Sequence, residues 1–282
     1  MSPRSTAARL ARWATALEPT AADLALADRA LVDTLVGAVA AREHPIGDLV
    51  GELPEEGAWA AFAHVLDFDD LHLETTTHIS AVCVPAALVA GGDARAYLAG
   101  AGAMVRLGLA LGWRHYAAGW HATCTAGAPA AAVAAASALD LDADQIATAI
   151  ALSIPAAGGV QRAFGTSAKA LQVGFAVHAG VRAARLAAAG ATADPRAVDQ
   201  WLQLVGGDAA RLRLDAERDQ EVCDRRAGAG LDRLAVDVDH DAPTSSSAVA
   251  KRSGPKTWSR PSPASSAATR SAVTGVRRMP LR

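Results

Sequence analysis

Asparagine is absent from this 282-residue sequence, lysine and cysteine occur three times each, and aromatic residues make up only 4%. Each scarcity excludes something. Cys83, Cys124 and Cys223 stand alone, with no Cys-x-x-Cys pair and no Cys/His run at zinc spacing. Neither a disulfide scaffold nor a structural zinc site is therefore expected. Scattered thiols suit a reducing, cytoplasmic setting, and each reads as a small packed side chain. A formal charge of -2 gives the whole chain no electrostatic pull on nucleic acid. Uninterrupted apolar runs of about 20 residues are missing too. The nearest, residues 96–111, is broken by Arg106 and diluted by Gly and Ala, so no membrane span is expected. Arg4, Arg9 and Arg12 are followed by no apolar segment, which argues against a secretory signal. Before residue 208 there is no convincing β-alternation and no Asn-Gly or Asp-Gly hairpin.

Acidic residues also run out along the chain. None of the 29 lies after Asp241, whereas eight of the 27 basic residues do: Lys251, Lys256 and Arg252, Arg260, Arg270, Arg277, Arg278 and Arg282. That segment is rich in Ser, Pro, Thr and Ala and cannot bury enough surface to offset its ordering entropy, so it reads as a disordered basic tail. Helix-period blocks fade near Gly206–Ala210. The expected organisation is an all-α domain over 1–208 and an irregular segment over 209–282.

Alanine dominates the body, and alanine is the strongest helix former. Helices are expected over 21–41, 55–66, 79–90, 94–111, 122–139, 142–154 and 167–189. Leu24, Leu31, Leu35, Val36 and Val39 stand at helical spacing in the first. Thr20 and Asp142 or Asp140 are N-cap candidates, and Gly190 a C-terminal stop. Gly100-Ala101-Gly102 lies within a helical block with no strand before it, so it is not a dinucleotide loop.

Three polar clusters interrupt this background. The first runs His64-Val65-Leu66-Asp67-Phe68-Asp69-Asp70-Leu71-His72, then Glu74 and Thr75-Thr76-Thr77-His78, at a helix end. Three aspartates within four residues repel one another unless a cation, a proton or helix N-termini compensate. The second, Gly119-Trp120-His121-Ala122-Thr123-Cys124, opens a helix, whose positive end favours a neutral imidazole. The third, Phe164-Gly165-Thr166-Ser167-Ala168-Lys169, opens another. Lys169 is the one lysine in an otherwise arginine-using body; the other two are Lys251 and Lys256. A compact ammonium at one position points to a carboxylate site.

Taken together and in this order, HVLDFDDLH at 64–72, HISAVCVPAAL at 78–88, GWHATCTAG at 119–127, LDADQIATAIALS at 141–153 and FGTSAKALQVG at 164–174 resemble the MmgE/PrpD family. The resemblance covers roughly residues 20–205. Family members include 2-methylcitrate dehydratases and cis-aconitate decarboxylases. The resemblance implies a large all-α domain followed by a smaller α+β domain, a homodimer, and lyase or isomerase chemistry on small polycarboxylates without metal or other cofactor. Carried over by motif, Asp67, His78, His121 and Lys169 are the expected catalytic residues. His78 and His121 would be the proton-transfer pair, Asp67 would hold and polarise a histidine, and Lys169 would bind a substrate carboxylate, with Ser80 and Thr166 as further substrate contacts. Two departures touch the substrate side: Leu71 stands where the family often has Thr, and His78-Ile79-Ser80 where it often has His-Pro-Ser.

The resemblance also leads one to expect an Ile-Lys-x-Tyr-type segment after residue 210, in the second domain. Asp219-Gln220-Glu221-Val222-Cys223 can be encoded as GAT-CAA-GAA-GTA-TGC, and loss of the first base reads Ile-Lys-Lys-Tyr. A frameshift in a GC-rich gene is therefore the expected origin of the tail, and it would leave an incomplete site. A non-catalytic helical partner that dimerises with an intact relative is the alternative. A terpene-synthase-like Mg²⁺ site at Asp69, Asp70 and Glu74 is disfavoured, because the second metal motif of that class uses Asn and its pockets use aromatic walls.

Overall fold

The structure, a computed structural model, describes residues 5–212 and 214. The basic tail, the Ile-Lys-x-Tyr frame, Cys223 and nearly all of 209–282 lie outside the described residues. Ten α-helices and no strand occur among the described residues. They are α1 (Thr6–Thr15), α2 (Ala21–Ala40), α3 (Gly47–Val50), α4 (Glu55–Val65), α5 (Ser80–Val89), α6 (Ala94–Ala117), α7 (Ala122–Ala138), α8 (Ala143–Ser153), α9 (Ala168–Ala188) and α10 (Ala197–Leu204). The all-α reading holds, and seven of these match the periodic blocks of the sequence. Thr20 closes a capping box with Asp23, and Asp142 does the same with Gln145. Gly190, at φ 89°, terminates α9 in the left-handed conformation.

The core is organised around α7. Every residue from Ala122 to Ala136 is buried. A helix apolar all round has no solvent face to offer and so lies inside. It packs against α5, α6, α8 and α9. Ala209–Arg211 form a short 3-10 turn against α6, where the Asp208 amide donates to the Ala110 carbonyl at 2.8 Å.

α6 is long and apolar enough to cross a membrane, but 67% of its apolar window is buried inside the fold. Its Arg106 is buried too, stacked 3.8 Å from the Trp13 ring centroid and donating to the Gly102 carbonyl. The sequence placed its end at 111. The helix instead breaks at Gly112, whose φ of 65° is easy only for glycine, and resumes to Ala117.

α2 departs from the usual pattern. Val32, Leu35, Val36 and Val39 are exposed, Val36 at 61%, while Ala27, Ala30, Thr34 and Ala38 are buried. Small residues on the buried face let α2 lie close on its neighbours, while Leu24 and Leu31 also pack against the core. α1 and α10 were not expected. They join where the Thr6 amide donates to Asp199 Oδ1 at 3.1 Å.

α4 and α9 touch at Gly57 and Gly174. A Cβ on Gly174 would stand 2.6 Å from the Gly57 carbonyl oxygen and 3.0 Å from Leu53 Cδ1. His178 Nδ1 and Glu56 Oε1 close the same interface at 2.8 Å. Gly174→Val is expected to cost about 1–3 kcal/mol through overpacking, read as a lower midpoint in urea unfolding.

Candidate active site

The first polar cluster is the loop between α4 and α5. Its three aspartates separate, which explains how they coexist. Asp67 adopts a left-handed φ of 56° and pairs with Lys169 at the start of α9. Asp69 turns inward, its side chain 1% exposed, and accepts from His64 Nδ1 at 2.8 Å. Asp70 accepts the Ser80 amide at 2.8 Å at the start of α5, and burial raises its pKa. An ammonium for Asp67, imidazoles for Asp69 and the Ser80 amide for Asp70 offset the repulsion, although the Asp69 charge still adds to burial in raising the Asp70 pKa.

His78 Nδ1 lies 3.2 Å from the same Asp69 oxygen, within ion-pair distance but outside hydrogen-bond geometry. Burial opposes charge on His78, yet Asp69 outweighs it and raises the pKa above the ordinary histidine value. Burial likewise pushes Asp69 up, but His64 and His78 together hold it well below the usual carboxylate range. The ring of His64 packs edge-on to His78 at 4.7 Å and 5.8 Å from that of His121.

His121 is the residue before the first turn of α7, and its amide donates to the Gly159 carbonyl at 3.0 Å. Burial first, then the charges of His64, His78 and Lys169, push its pKa down to about 3. Its ring meets Phe164 edge-to-face at 4.9 Å, and Lys169 Nζ stands 5.5 Å from the Phe164 centroid. Its Nδ1 lies 2.6 Å from Gln172 Nε2 and 3.2 Å from Cys124 Sγ.

The four residues expected to be catalytic thus converge on one site from three segments: the α4–α5 loop, which holds Asp67 and His78, the residue before α7 and the start of α9. Asp67 acts on a histidine through its charge, which works against burial and with Asp69 to raise the His78 pKa. It pairs with Lys169, and the histidine-holding carboxylate is Asp69, which buries its side chain where Asp67 stays 54% exposed. Ser80 is buried, and its hydroxyl lies 3.0 Å from Tyr97 Oη on α6. Thr166 is exposed, with its hydroxyl donating to the Ala163 carbonyl at 2.6 Å and accepting the Ala168 amide. Thr75 and Thr77 are buried structural residues bonded at 2.7 Å. His64 and Asp69 were visible in the cluster but carried no distinguishing pattern. Gln172, three residues after Lys169, had no signal beyond sharing its helix face.

His64, Asp67, Asp69 and His78 each offer a ligand atom within 4.8 Å of the others, a donor set able to take a divalent cation. The Lys169 ammonium already sits against Asp67, so a cation there would meet a fixed positive charge. The same charge favours an anionic ligand. Asp69 and Asp70, expected to share any Mg²⁺, turn to different partners.

The site sets a pH window for stability. His121 and the buried His115 have depressed folded pKa values, so the unfolded chain binds more protons below about pH 6.5. Stability falls on acidification there, by at most about 1.4 kcal/mol per pH unit for each group. His78 works in the opposite sense: its raised folded pKa gives stability that is lost as pH rises above about 6.5. A stability maximum near pH 6–7 is expected, measured by urea midpoints across pH 4–9, with His121→Asn flattening the acid limb.

A family model described as MmgE/PrpD N-terminal domain matches residues 53–202, more than half of the chain. That stretch contains all six residues selected from the sequence, together with His64, Asp69, Cys124 and Gln172. Among curated proteins, none matches the chain.

Proposed function

The chain belongs to the MmgE/PrpD family, and from that premise we propose that it is a metal-independent lyase for a small polycarboxylate such as 2-methylcitrate or cis-aconitate. The observation that carries this reading is the convergence of Lys169, paired with Asp67, on a histidine whose charge is supported by buried Asp69. Lys169 supplies a compact cation for a substrate carboxylate and for the negative charge that builds beside it. His78, whose hold on a proton Asp69 strengthens, handles the proton of the reaction. In dehydration the neutral His78 ring takes the proton from the carbon beside the carboxylate and passes it to the departing hydroxyl, which leaves as water. In decarboxylation the protonated ring gives its proton to the carbon left by CO₂. His121, neutral at working pH, completes the polar wall. Exposed Phe164, edge-on to His121, gives the site an apolar edge. The reading includes a homodimer in the cytoplasm and no cofactor.

The test is to incubate the full chain with 2-methylcitrate and with cis-aconitate, with and without EDTA, and to follow the substrates by proton NMR. Turnover unchanged by the chelator is expected. Turnover that requires a divalent cation sinks the metal-independent assignment. No turnover, with stoichiometric association with a longer relative, favours the non-catalytic partner.

A further inference from the structure

We propose that Gln172 is a positioning residue that holds the neutral His121 ring with its proton on Nε2, so that this histidine meets the substrate as a hydrogen-bond donor. The assignment of a substrate to that face rests on the lyase reading above; the tautomer itself rests on local geometry alone.

The orientation of the Gln172 amide is fixed by one backbone residue. The Val160 N–H donates to Gln172 Oε1 at 3.1 Å, and Gln172 Nε2 donates to the Val160 carbonyl at 3.3 Å. Turning the amide over would set donor against donor and acceptor against acceptor, so Nε2 must be the atom that faces His121. At 2.6 Å it can only donate to Nδ1, which must then carry its lone pair. The other group at Nδ1 agrees: the Cys124 thiol lies at 3.2 Å, and burial favours its protonated form. Two donors on Nδ1 leave the single proton of a neutral imidazole to Nε2. Among the described residues no hydrogen bond to that atom is made.

The supporting backbone is built for this contact. Residues 120 and 160 form an isolated antiparallel bridge, and the His121 amide is tied to Gly159. Gly159 has φ 121°, and a Cβ there would stand 2.6 Å from Cys124 Cβ and 3.4 Å from Gln172 Oε1. Any side chain at 159 would therefore press the segment away from both α7 and α9.

A neutral imidazole that donates from Nε2 cannot accept a proton on that nitrogen. His121 therefore stabilises negative charge on the substrate, while the His78–Asp69 pair moves the proton. The charged and titratable groups around the ring are His64 from α4, Asp69 and His78 from the following loop, Cys124 from α7 and Lys169 from α9. Of these, Cys124 meets the same ring nitrogen as Gln172, and Lys169 shares the Gln172 face of α9.

The experiment uses the full chain labelled with ¹⁵N and reads histidine tautomers from long-range ¹H–¹⁵N spectra at pH 7, with His121 assigned by its loss in His121→Asn. The expected wild-type spectrum shows His121 neutral with the proton on Nε2. In Gln172→Glu a carboxylate faces Nδ1. The proton is expected to move to Nδ1 and the ring to titrate at least about one pH unit higher. The same variant is expected to lose about 10- to 100-fold in kcat with KM changed little, as for groups that orient a reacting residue. A wild-type Nδ1–H tautomer, or an unmoved tautomer in Gln172→Glu, overturns the proposal. The wild-type spectrum decides even if the variant fails to fold. Absence of turnover on any polycarboxylate with the Nε2–H tautomer in place overturns the lyase reading and leaves the lock standing.

Discussion

Replacing Lys169 with methionine is expected to lower kcat/KM on the best polycarboxylate by about 10²–10³, the loss that follows removal of one group stabilising developing charge. Methionine keeps the length and packing of the side chain and removes only the ammonium. The protein should remain folded, because the Asp67 carboxylate left behind is half exposed and water can take over its pairing. A urea midpoint within about 0.5 kcal/mol of wild type is the control. Lys169→Arg is expected to recover little. A planar fork cannot take the place of a compact ammonium between a carboxylate and the Phe164 ring. Full activity in Lys169→Met would remove the substrate-carboxylate role from this residue.

The second large effect is expected at Asp69. Asp69→Asn should reduce kcat by about 10²–10⁴, the usual range for general acid–base assistance, and should also move the pH profile. Asp69 holds the His78 pKa above its ordinary value. If protonated His78 is the active form, activity falls as pH rises through that raised value. Without the carboxylate, the fall comes at lower pH. A downward shift of the alkaline limb in Asp69→Asn is therefore the predicted signature. Asp69→Asn will also be less stable, since His64 Nδ1 is fully buried and loses a charged acceptor. His78→Gln separates the two effects: it removes the proton carrier and leaves the His64–Asp69 contact intact. An unchanged limb in Asp69→Asn with reduced kcat would assign the proton step to another residue.

Much of this was legible in the sequence, for identifiable reasons. The helices were readable because alanine blocks are bounded by capping residues whose chemistry is local, such as Thr20 with Asp23 and Asp142 with Gln145. The site segments were readable because unusual polar residues stood at helix ends against an apolar background. What failed was anything decided across helices. Of the five spaced residues of α2, Leu24 and Leu31 pack on the core, whereas Leu35, Val36 and Val39 are exposed. Asp67 and Asp69 are two residues apart and chemically identical, and only the left-handed turn at Asp67 sends one outward to Lys169 and leaves the other to His64. Gln172 was invisible because its role depends on Val160 and His121, 12 and 51 positions away. α1 was missed although Ser5 caps it and Ala7, Leu10, Ala11 and Ala14 form one buried face at helical spacing.

The alanine-built α7 has a consequence for how this protein tolerates genetic change. Alanine lies near the floor of side-chain volume and has no rotamer to adjust. A core of leucines can be damaged by shrinkage or by growth, and neighbours can turn to absorb either. Along α7 nearly every coding change is growth. The helix cannot yield locally, so an added methyl group displaces the axes of α7 and α9 as bodies. His121 stands at the N-cap of α7 and Gln172 lies near the start of α9, with a 2.6 Å contact between them. Distant core substitutions should therefore register at that contact before they unfold the chain, which makes the site a gauge of drift in the interior.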